Sequence, residues 1–318
     1  MLSVEECVKI EQTNIGYYVY NSSERLLAEV GREGIVSDEG DPKDKKKELT
    51  KERKHKYLQK KLHPVFYKET MDVRDEENSW NWLKNRYLKK ETEGTILAAQ
   101  DQALRMNWIK NNVDKENISS KCRMCGEREE TIAHIVSECQ KLAQREYKCW
   151  RHDKVAAVLH WYLCKKFGFE CDDKYYNHEV TIENKVLEND EVVLLWDFSI
   201  QTETRIDHNK PDIMLKNKKE KTCQIIDVAC PFDTRVKQKE EEKLDHYSDL
   251  KYQILKMWKD EVNKVTITPI AIGALGVVSK RFKSYIAALD FDLGVLPSKK
   301  ACLKGTARIV RKVLDIRE

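Results

Sequence analysis

The chain has 318 residues, of which 41% are hydrophobic and 35% are charged, and its mean hydropathy is −0.69. This composition is typical of a soluble, charge-rich protein of about two domains. No window approaches the roughly 20 uncharged apolar residues that a membrane-spanning helix needs, and the opening MLSVEECVKIEQTN has neither the basic nor the apolar region of a secretory signal. We therefore expect a protein that neither enters a membrane nor is secreted, on the cytosolic or nuclear side.

Charge is distributed unevenly along the sequence. The whole chain has 58 Lys and Arg against 54 Asp and Glu, a formal net charge of +4. Residues 41–68 nevertheless hold 11 basic and 4 acidic residues, and residues 297–318 hold 7 and 2. Basic arms of this kind suit phosphate backbones or nuclear import, and a solvated linker is an equally good interpretation of either arm alone.

The first predicted elements are a linker and a helical segment. Residues 1–78 are predicted to be a poorly ordered or basic linker region, because the stretch GREGIVSDEGDPKDKKK is rich in glycine and charge. From Ser79 to Val113, apolar residues recur at three- and four-residue spacing with few helix breakers. We therefore predict a helical linker over residues 79–120.

The following elements change from helical to strand periodicity. A Cys/His segment at 122–139 precedes a predicted helix from about Glu146 to Phe167, and together they make a region at 121–175. In the next region, 180–292, the runs VVLLW, PDIML, CQIIDVA and VTITPIAIGAL predict strands, and a helical pattern over 236–259 separates the last two. A meander followed by a helical crossover predicts a mixed sheet and an α+β fold, with 293–318 as a basic tail.

A four-residue cluster has the spacing of a zinc site: Cys122-x2-Cys125-x8-His134-x4-Cys139. Four sulfur and nitrogen donors that leave no position for water define a structural rather than a catalytic Zn²⁺ site. Buried cysteines without a metal are the alternative.

The other cysteines and histidines of this region have a plainer interpretation. Cys149, Cys164 and Cys171 lack partners at ligand spacing, so we predict core or surface thiols. His152 and His160 are expected to make packing or phosphate contacts rather than to bind metal.

Two carboxylates are predicted to meet at one end of a hairpin. If PDIML and CQIID are adjacent strands, Asp212 and Asp227 lie near one another. Close carboxylates repel unless a cation neutralises them, and oxygen ligands with open coordination positions suit Mg²⁺, which activates water and stabilises phosphodiester charge. Asp197 is either a third acid or, as we favour, a strand-end cap.

The helix after Asp227 adds an amine to this pair. Lys243 lies within about 20° of the middle of the apolar stripe of that helix. Nearby metal-bound carboxylates would explain its position, since the ammonium group could orient water and offset phosphate charge. A snorkelling, salt-bridged lysine is the alternative. Tyr247 follows one turn later, as a packing residue or a phosphate contact, and Lys210 could contact a DNA phosphate or remain solvated.

The order of these motifs resembles a known family. CRMCGEREETIAHIVSEC, EYKCWRHDKVAAVLHW, NKPDIML, IIDVACP, EEEKLDHYSDL and VTITPIAIGALG follow one another as at the C-terminal end of non-LTR retrotransposon polyproteins of the ribosomal-DNA-inserting type and their relatives. In that family a zinc knuckle precedes a restriction-enzyme-like PD-(D/E)xK endonuclease. The similarity covers about residues 85–290, and the order is more specific than any one motif.

The resemblance implies a role for each matched position. The zinc ligands fall on Cys122, Cys125, His134 and Cys139, the metal-binding acids on Asp212 and Asp227, and the displaced catalytic lysine on Lys243, followed by Tyr247. The family shares a motif at 151–153, and we expect Arg151 and His152, with Lys210, to contact DNA.

Two positions depart from the family pattern. Ala229 stands where a standard PD-(D/E)xK enzyme has its lysine, so that activity would depend on Lys243. The eight residues between Cys125 and His134 exceed the four of retroviral knuckles, so retroviral-style RNA binding is not assumed.

The resemblance also predicts the activity. It implies a restriction-endonuclease-like α/β domain at 180–292 that nicks target DNA with Mg²⁺, in the nucleus, so that a polymerase can prime on the new 3′ end. DNA is the implied partner, and element RNA stays open as a second. The polymerase motif is missing, so we expect a terminal fragment, a truncated copy or a stand-alone derivative. A non-catalytic, domesticated or relic nucleic-acid-binding module is the alternative.

Overall fold

The computed structural model describes residues 42–84, 88–290 and 296–316, together with the backbone of four short strands before residue 36. The chain divides into two units, Met1–Pro64 and Val65–Glu318. Parts of the predicted linker stretch at 31–47, most of the N-terminal MLSVEECVKIEQTN and residues 293–295 and 317–318 of the predicted tail lie outside the described residues.

The first unit contains an antiparallel sheet in the order β1-β2-β3-β4 and one helix. The helix, α1, holds much of the basic run at 41–68, and ion pairs one turn apart, such as Lys56 with Glu52, support it. A regular helix therefore stands where we predicted a linker. The elements are β1 (Lys9–Thr13), β2 (Gly16–Tyr20), β3 (Leu26–Gly31), β4 (Gly34–Ile35) and α1 (Pro42–Gln59).

A mixed five-stranded sheet forms the centre of the second unit, in the order β5-β6-β7-β8-β9. The first four strands pair antiparallel, and β9 joins β8 in parallel after a helical crossover. The predicted α+β class and mixed sheet are confirmed. The short first strand was not predicted. The strands are β5 (Val186–Glu188), β6 (Val192–Trp196), β7 (Ile213–Asn217), β8 (Thr222–Ala229) and β9 (Lys264–Ala271).

Helices cover both faces of this sheet. Successive side chains of a strand point to opposite faces, so Ile226 and Val228 join one apolar cluster, whereas Cys223 and Ile225 join another. The helices of this unit are α2 (Val65–Glu69), α3 (Glu76–Lys84), α4 (Lys90–Gln100), α5 (Asn107–Asn112), α6 (Asp153–Lys166), α7 (Val236–His246), α8 (Ser248–Met257), α9 (Phe282–Ala288) and α10 (Leu296–Leu314). π-helical segments at His134–Glu138 and Ala143–His152 precede α6.

Several predicted helices are shorter than expected. Residues 79–113 contribute to three helices, α3, α4 and α5. The helical pattern at 236–259 breaks at Tyr247, whose φ of −100° and ψ of 10° end α7 and begin α8. The apolar periodicity of 236–259 predicted a helix, but it did not show that the helix axis changes direction at Tyr247.

The ends of the second unit correct two predicted boundaries. The unit begins at Val65 rather than at Ser79, because Arg74 is only 3% exposed and Asp75 N–H donates to Val278 O at 2.8 Å. The predicted basic tail is wrong for residues 296–314, which form α10 and bury Leu303 and Val310 in the interior. An amphipathic helix with charges on one face can have a basic composition and still pack.

Within the described residues, none of the helices has the length and apolar character needed to cross a membrane.

Candidate active site and metal centre

Asp212 and Asp227 meet at one end of the β7–β8 hairpin. Ile213 pairs with Ile226 in this ladder, so the next position in the same register places the two aspartates opposite each other. Asp212 Oδ2 accepts the Val228 backbone N–H at 2.7 Å, which ties its carboxylate to the neighbouring strand. The hairpin therefore brings together the two acids that the sequence predicted.

A histidine fixes the first carboxylate. His152, the last residue of the π-helical segment before α6, places Nε2 3.1 Å from Asp212 Oδ2, and its Nδ1 lies 2.9 Å from Asp153 Oδ1. Burial opposes the charged ring, but these two carboxylates raise the pKa of His152 well above its usual value. Burial alone would raise the pKa of Asp212, and the hydrogen bond and charge of His152 outweigh it, so that the pKa is lowered.

The second carboxylate has a different environment. Asp227 is 3% exposed, its Oδ1 accepts the Tyr247 hydroxyl at 2.6 Å, and its Oδ2 lies 2.6 Å from Lys243 Nζ. Burial and the negative charge of Asp212 raise the pKa of Asp227 against the opposing effect of Lys243. The two acids thus differ in pKa although they share one site.

Lys243 and Tyr247 reach Asp227 from the end of the crossover helix. Lys243 is in the last turn of α7, and Tyr247 occupies the break before α8, so the bend directs both side chains towards the end of β8. The Lys243 side chain is 24% exposed, so its amine pairs with the buried acid and remains near solvent. Burial and the charge of Asp227 raise the pKa of the Tyr247 phenol, which keeps it a hydrogen-bond donor.

The outer residues of the site form an ion-pair group. Lys210 Nζ lies 3.0 Å from Asp197 Oδ1, and its side chain is 47% exposed. Asp197 has a positive φ of 44° and donates its backbone N–H to Asp212 O at 2.8 Å, which agrees with its interpretation as a strand-end cap. Lys210 therefore stands beside the acids, at the surface.

Arg151 does not occupy the expected position. It is 1% exposed, and its guanidinium donates to the carbonyl oxygens of Val136 and Cys230 and to the Thr306 hydroxyl. These contacts leave it no access to DNA, contrary to the prediction, and make it a link between the π-helical segments and α10. His152, by contrast, joins the carboxylate site. In the sequence, only the neighbouring Asp153 indicated that His152 would be held in its charged form.

The four predicted zinc ligands lie together in the second unit. Cys122, Cys125, His134 and Cys139 each offer one ligand atom, and these atoms all lie within 4.8 Å of one another. Cys125 Sγ is 3.4 Å from His134 Nε2, and Cys122 Sγ is 4.0 Å from Cys139 Sγ. Gly126, with a positive φ of 72°, turns the chain directly after Cys125. The cluster could therefore hold a metal ion such as zinc.

The chemistry of this cluster fits a cation. Burial and the nearby Cys122 raise the pKa of Cys139 to about 12, so three adjacent thiolates would be unfavourable without positive charge. A buried ion pair supports the turn: Glu130 is fully buried and bonds Arg123 at 2.6 and 2.9 Å. Arg123 also donates to Val313 O at 3.3 Å. This hydrogen bond attaches the Cys/His segment at 122–139 to α10.

No family model matches the chain, and no curated protein matches it.

Proposed function

We propose that the second unit is a divalent-metal-dependent DNA endonuclease with a zinc knuckle. The observation that carries the proposal is the meeting of Asp212, Asp227 and Lys243 at the end of one hairpin. Two acids and one amine are the groups that phosphodiester hydrolysis needs: oxygen ligands for a hard cation and a positive charge near the phosphate.

The two carboxylates suit a magnesium ion. Asp227 accepts a hydrogen bond from Tyr247 on Oδ1, and its Oδ2 is paired with the Lys243 ammonium at 2.6 Å. Burial of two neighbouring acids raises the pKa of Asp227, and a cation would relieve that repulsion. Bound to Asp212 and Asp227, Mg²⁺ would supply the charge that activates water and stabilises the phosphate.

The surrounding side chains have distinct tasks in this proposal. His152 holds Asp212 in position, and Tyr247 does the same for Asp227. Lys243 orients the attacking water and offsets charge on the scissile phosphate. The water oxygen loses a proton to solvent and forms a new bond to phosphorus while the bond from phosphorus to the 3′ oxygen breaks; the leaving 3′ oxygen takes a proton from solvent, which leaves a 3′ hydroxyl and a 5′ phosphate.

The motif order supports a retrotransposon origin for this activity. We propose that the chain descends from the C-terminal region of a non-LTR retrotransposon polyprotein and nicks target DNA in the nucleus, as in target-primed reverse transcription. The order of knuckle, PDIML, IIDVA and displaced lysine supports this assignment. In the same proposal, Cys122, Cys125, His134 and Cys139 hold a structural Zn²⁺.

A groove favours a second candidate, a nucleic-acid-binding module without catalysis. A cavity of about 1020 Å³ in the second unit is lined by basic and aromatic side chains: Lys89, Lys154, Lys300, Lys304, Arg308, Arg311, Trp150, Tyr175 and Tyr176. Glu91 is the one acidic residue in the described lining. Cationic side chains between aromatic rings suit a single strand, because phosphates meet the charges and bases stack on the rings.

A plasmid-nicking assay with Mg²⁺ separates the two candidates. We expect the native chain to nick, and Asp212→Asn and Lys243→Gln to lose about 100-fold or more in rate. Lys239→Gln is the matched control, because Lys239 lies one turn earlier on α7 and pairs with Glu242 rather than with the acids. Equal nicking by all four proteins would refute the assigned site.

Binding must be measured beside cleavage. Native protein that binds a labelled oligonucleotide but leaves the plasmid intact would establish the binding module instead. Lys300→Glu and Lys304→Glu together should then weaken binding and flatten its salt dependence, because fewer phosphate contacts release fewer counterions.

A further inference from the structure

A second group of side chains that could bind a metal lies at α6, where the sequence predicted no metal site. His160 and Cys164 are one helical turn apart on α6, and His178 comes from the irregular stretch between α6 and β5. All three are buried, with exposures of 0%, 0% and 3%. Their ligand atoms lie within 4.8 Å of one another, as in the knuckle.

Of the two distances between these donors, the sulfur–nitrogen distance matches an edge of a metal tetrahedron, and the nitrogen–nitrogen distance is a hydrogen-bond length that would grow by about 0.5 Å around an ion. Zinc bonds of about 2.05 Å to nitrogen and about 2.3 Å to sulfur place neighbouring ligands about 3.4 to 3.6 Å apart. Cys164 Sγ lies 3.5 Å from His160 Nδ1, and His160 Nδ1 lies 2.9 Å from His178 Nε2. The corresponding sulfur–nitrogen distance in the knuckle, from Cys125 to His134, is 3.4 Å.

An outer carboxylate lies within ion-pair distance of one of the two imidazoles. Asp172 Oδ2 lies 3.4 Å from His178 Nδ1, the ring nitrogen that faces away from His160. Metal-binding histidines commonly use the remote nitrogen in this way, because a proton fixed on Nδ1 leaves the lone pair of Nε2 free for the metal. Asp172 could serve His178 in this way, because His178 Nε2 faces His160 Nδ1 at 2.9 Å.

A metal would also explain how a long irregular segment is held. Residues 167–185 connect α6 to β5 without a strand or helix of their own. Segments of this length without secondary structure are uncommon in compact units and need another support. His178 is buried from within this stretch, and a bond between it and two α6 side chains would anchor the segment.

We propose that His160, Cys164 and His178 bind a second transition-metal ion, of which Zn²⁺ is the natural choice for a nitrogen and sulfur donor set. Among the described residues, no fourth ligand lies within the same distance. Water completes the coordination, and the cavity lined in part by His178 gives it access. The site does not depend on the nuclease assignment.

Metal analysis of the purified full chain tests the site. We expect about two equivalents of zinc in the native protein and about one in both His178→Asn and Cys122→Ser, with about none in the double variant. Cys149→Ser is the control, because this thiol is exposed and belongs to neither group. A His178→Asn protein that keeps one equivalent has retained its knuckle, which shows that the loss is local rather than a failure to fold.

Cobalt substitution provides an independent readout. Loaded into Cys122→Ser, Co²⁺ should report a tetrahedral site with one thiolate band, and Cys164→Ser should remove that band. A native content of one equivalent that His178→Asn leaves unchanged would overturn the proposal and leave a hydrogen-bonded histidine pair. Loss of nicking in the earlier assay has no bearing on this result.

Discussion

The packing of α10 can be tested with two glycines that sit in helices but in opposite surroundings. Gly305 is in α10, where a Cβ would lie 2.8 Å from Arg151 Cβ and 3.0 Å from Arg151 Cα. Gly94 is in α4 and is exposed, and a Cβ there would meet nothing within 4 Å. The same substitution, glycine to alanine, should therefore have opposite effects at the two positions.

The magnitudes follow from helix propensity and from the steric contact. Alanine in place of glycine in a helix interior favours the folded state by about 0.5 to 1 kcal/mol. We expect that gain in Gly94→Ala. At Gly305 the contact is about 0.5 to 1 Å shorter than a normal carbon–carbon contact and includes main chain, so a change of rotamer cannot relieve it. Overpacking costs about 1 to 3 kcal/mol and the helix-propensity gain offsets about 0.5 to 1 kcal/mol of it, so Gly305→Ala should be destabilised by about 1 kcal/mol net and by at most about 2.5 kcal/mol.

Urea unfolding followed by circular dichroism measures both effects. We expect a higher midpoint for Gly94→Ala and a lower midpoint for Gly305→Ala, with unchanged m-values. If Gly305→Ala were as stable as Gly94→Ala or more stable than the native chain, α10 would not pack against Arg151. The predicted basic tail would then be the better description of the C-terminal residues.

Three further predictions concern the two sites and one buried lysine. Tyr247→Phe removes the hydrogen bond to Asp227 but keeps the ring, and nicking should fall without being abolished, by about 10- to 100-fold for a lost bond of about 1.5 to 3 kcal/mol to a charged group. Burial lowers the pKa of Lys299 to about 7, so the free energy of unfolding should rise between pH 7.5 and 9.5, and Lys299→Met should show a smaller rise in the same urea titration. Chelation of zinc should make residues 120–142 exchange amide hydrogens faster in the native chain but not in Cys122→Ser, where the exchange is already fast.

The sign of the Lys299 prediction follows from the two ionisation states. Between about pH 7 and the unfolded pKa of 10.5, the unfolded chain carries the proton at Lys299 and the folded chain does not. The unfolded state therefore binds more protons, and stability increases with pH in that window. The penalty for burying the amine is complete below about pH 7. A native protein whose stability stays flat or falls relative to Lys299→Met would contradict the lowered pKa.

The order of the strands could be predicted because the signals are local. Four runs of β-branched residues, with one helical pattern between the last two, are enough to specify a meander and a parallel crossover. The hairpin register then follows from the polar turn between PDIML and CQIID, and it places Asp212 opposite Asp227. The spacing of the knuckle ligands is local in the same sense.

Other parts depend on contacts that no local pattern encodes. His152 and Asp212 are 60 positions apart, and the path of the chain alone brings them to 3.1 Å. The break at Tyr247 lies inside an uninterrupted helical pattern and contains no glycine or proline. No cysteine or histidine lies at ligand spacing from His178 in the sequence, so spacing rules pass over it even though the fold places it 2.9 Å from His160.

The count of basic residues at 297–318 led to the wrong prediction of a basic tail. A basic residue counts equally in the sequence whether it faces solvent or the interior. Lys299 donates to Ser79 O at 3.0 Å, and Arg151 is buried against α10, so neither contributes to a surface that attracts phosphate. Four other basic residues of α10 line the cavity, namely Lys300, Lys304, Arg308 and Arg311, whereas Lys312 pairs with Glu146. The basic residues of α10 therefore divide into two groups: Lys299 is bonded in the interior, and the lining residues face the cavity that we propose as the nucleic-acid site of the second candidate.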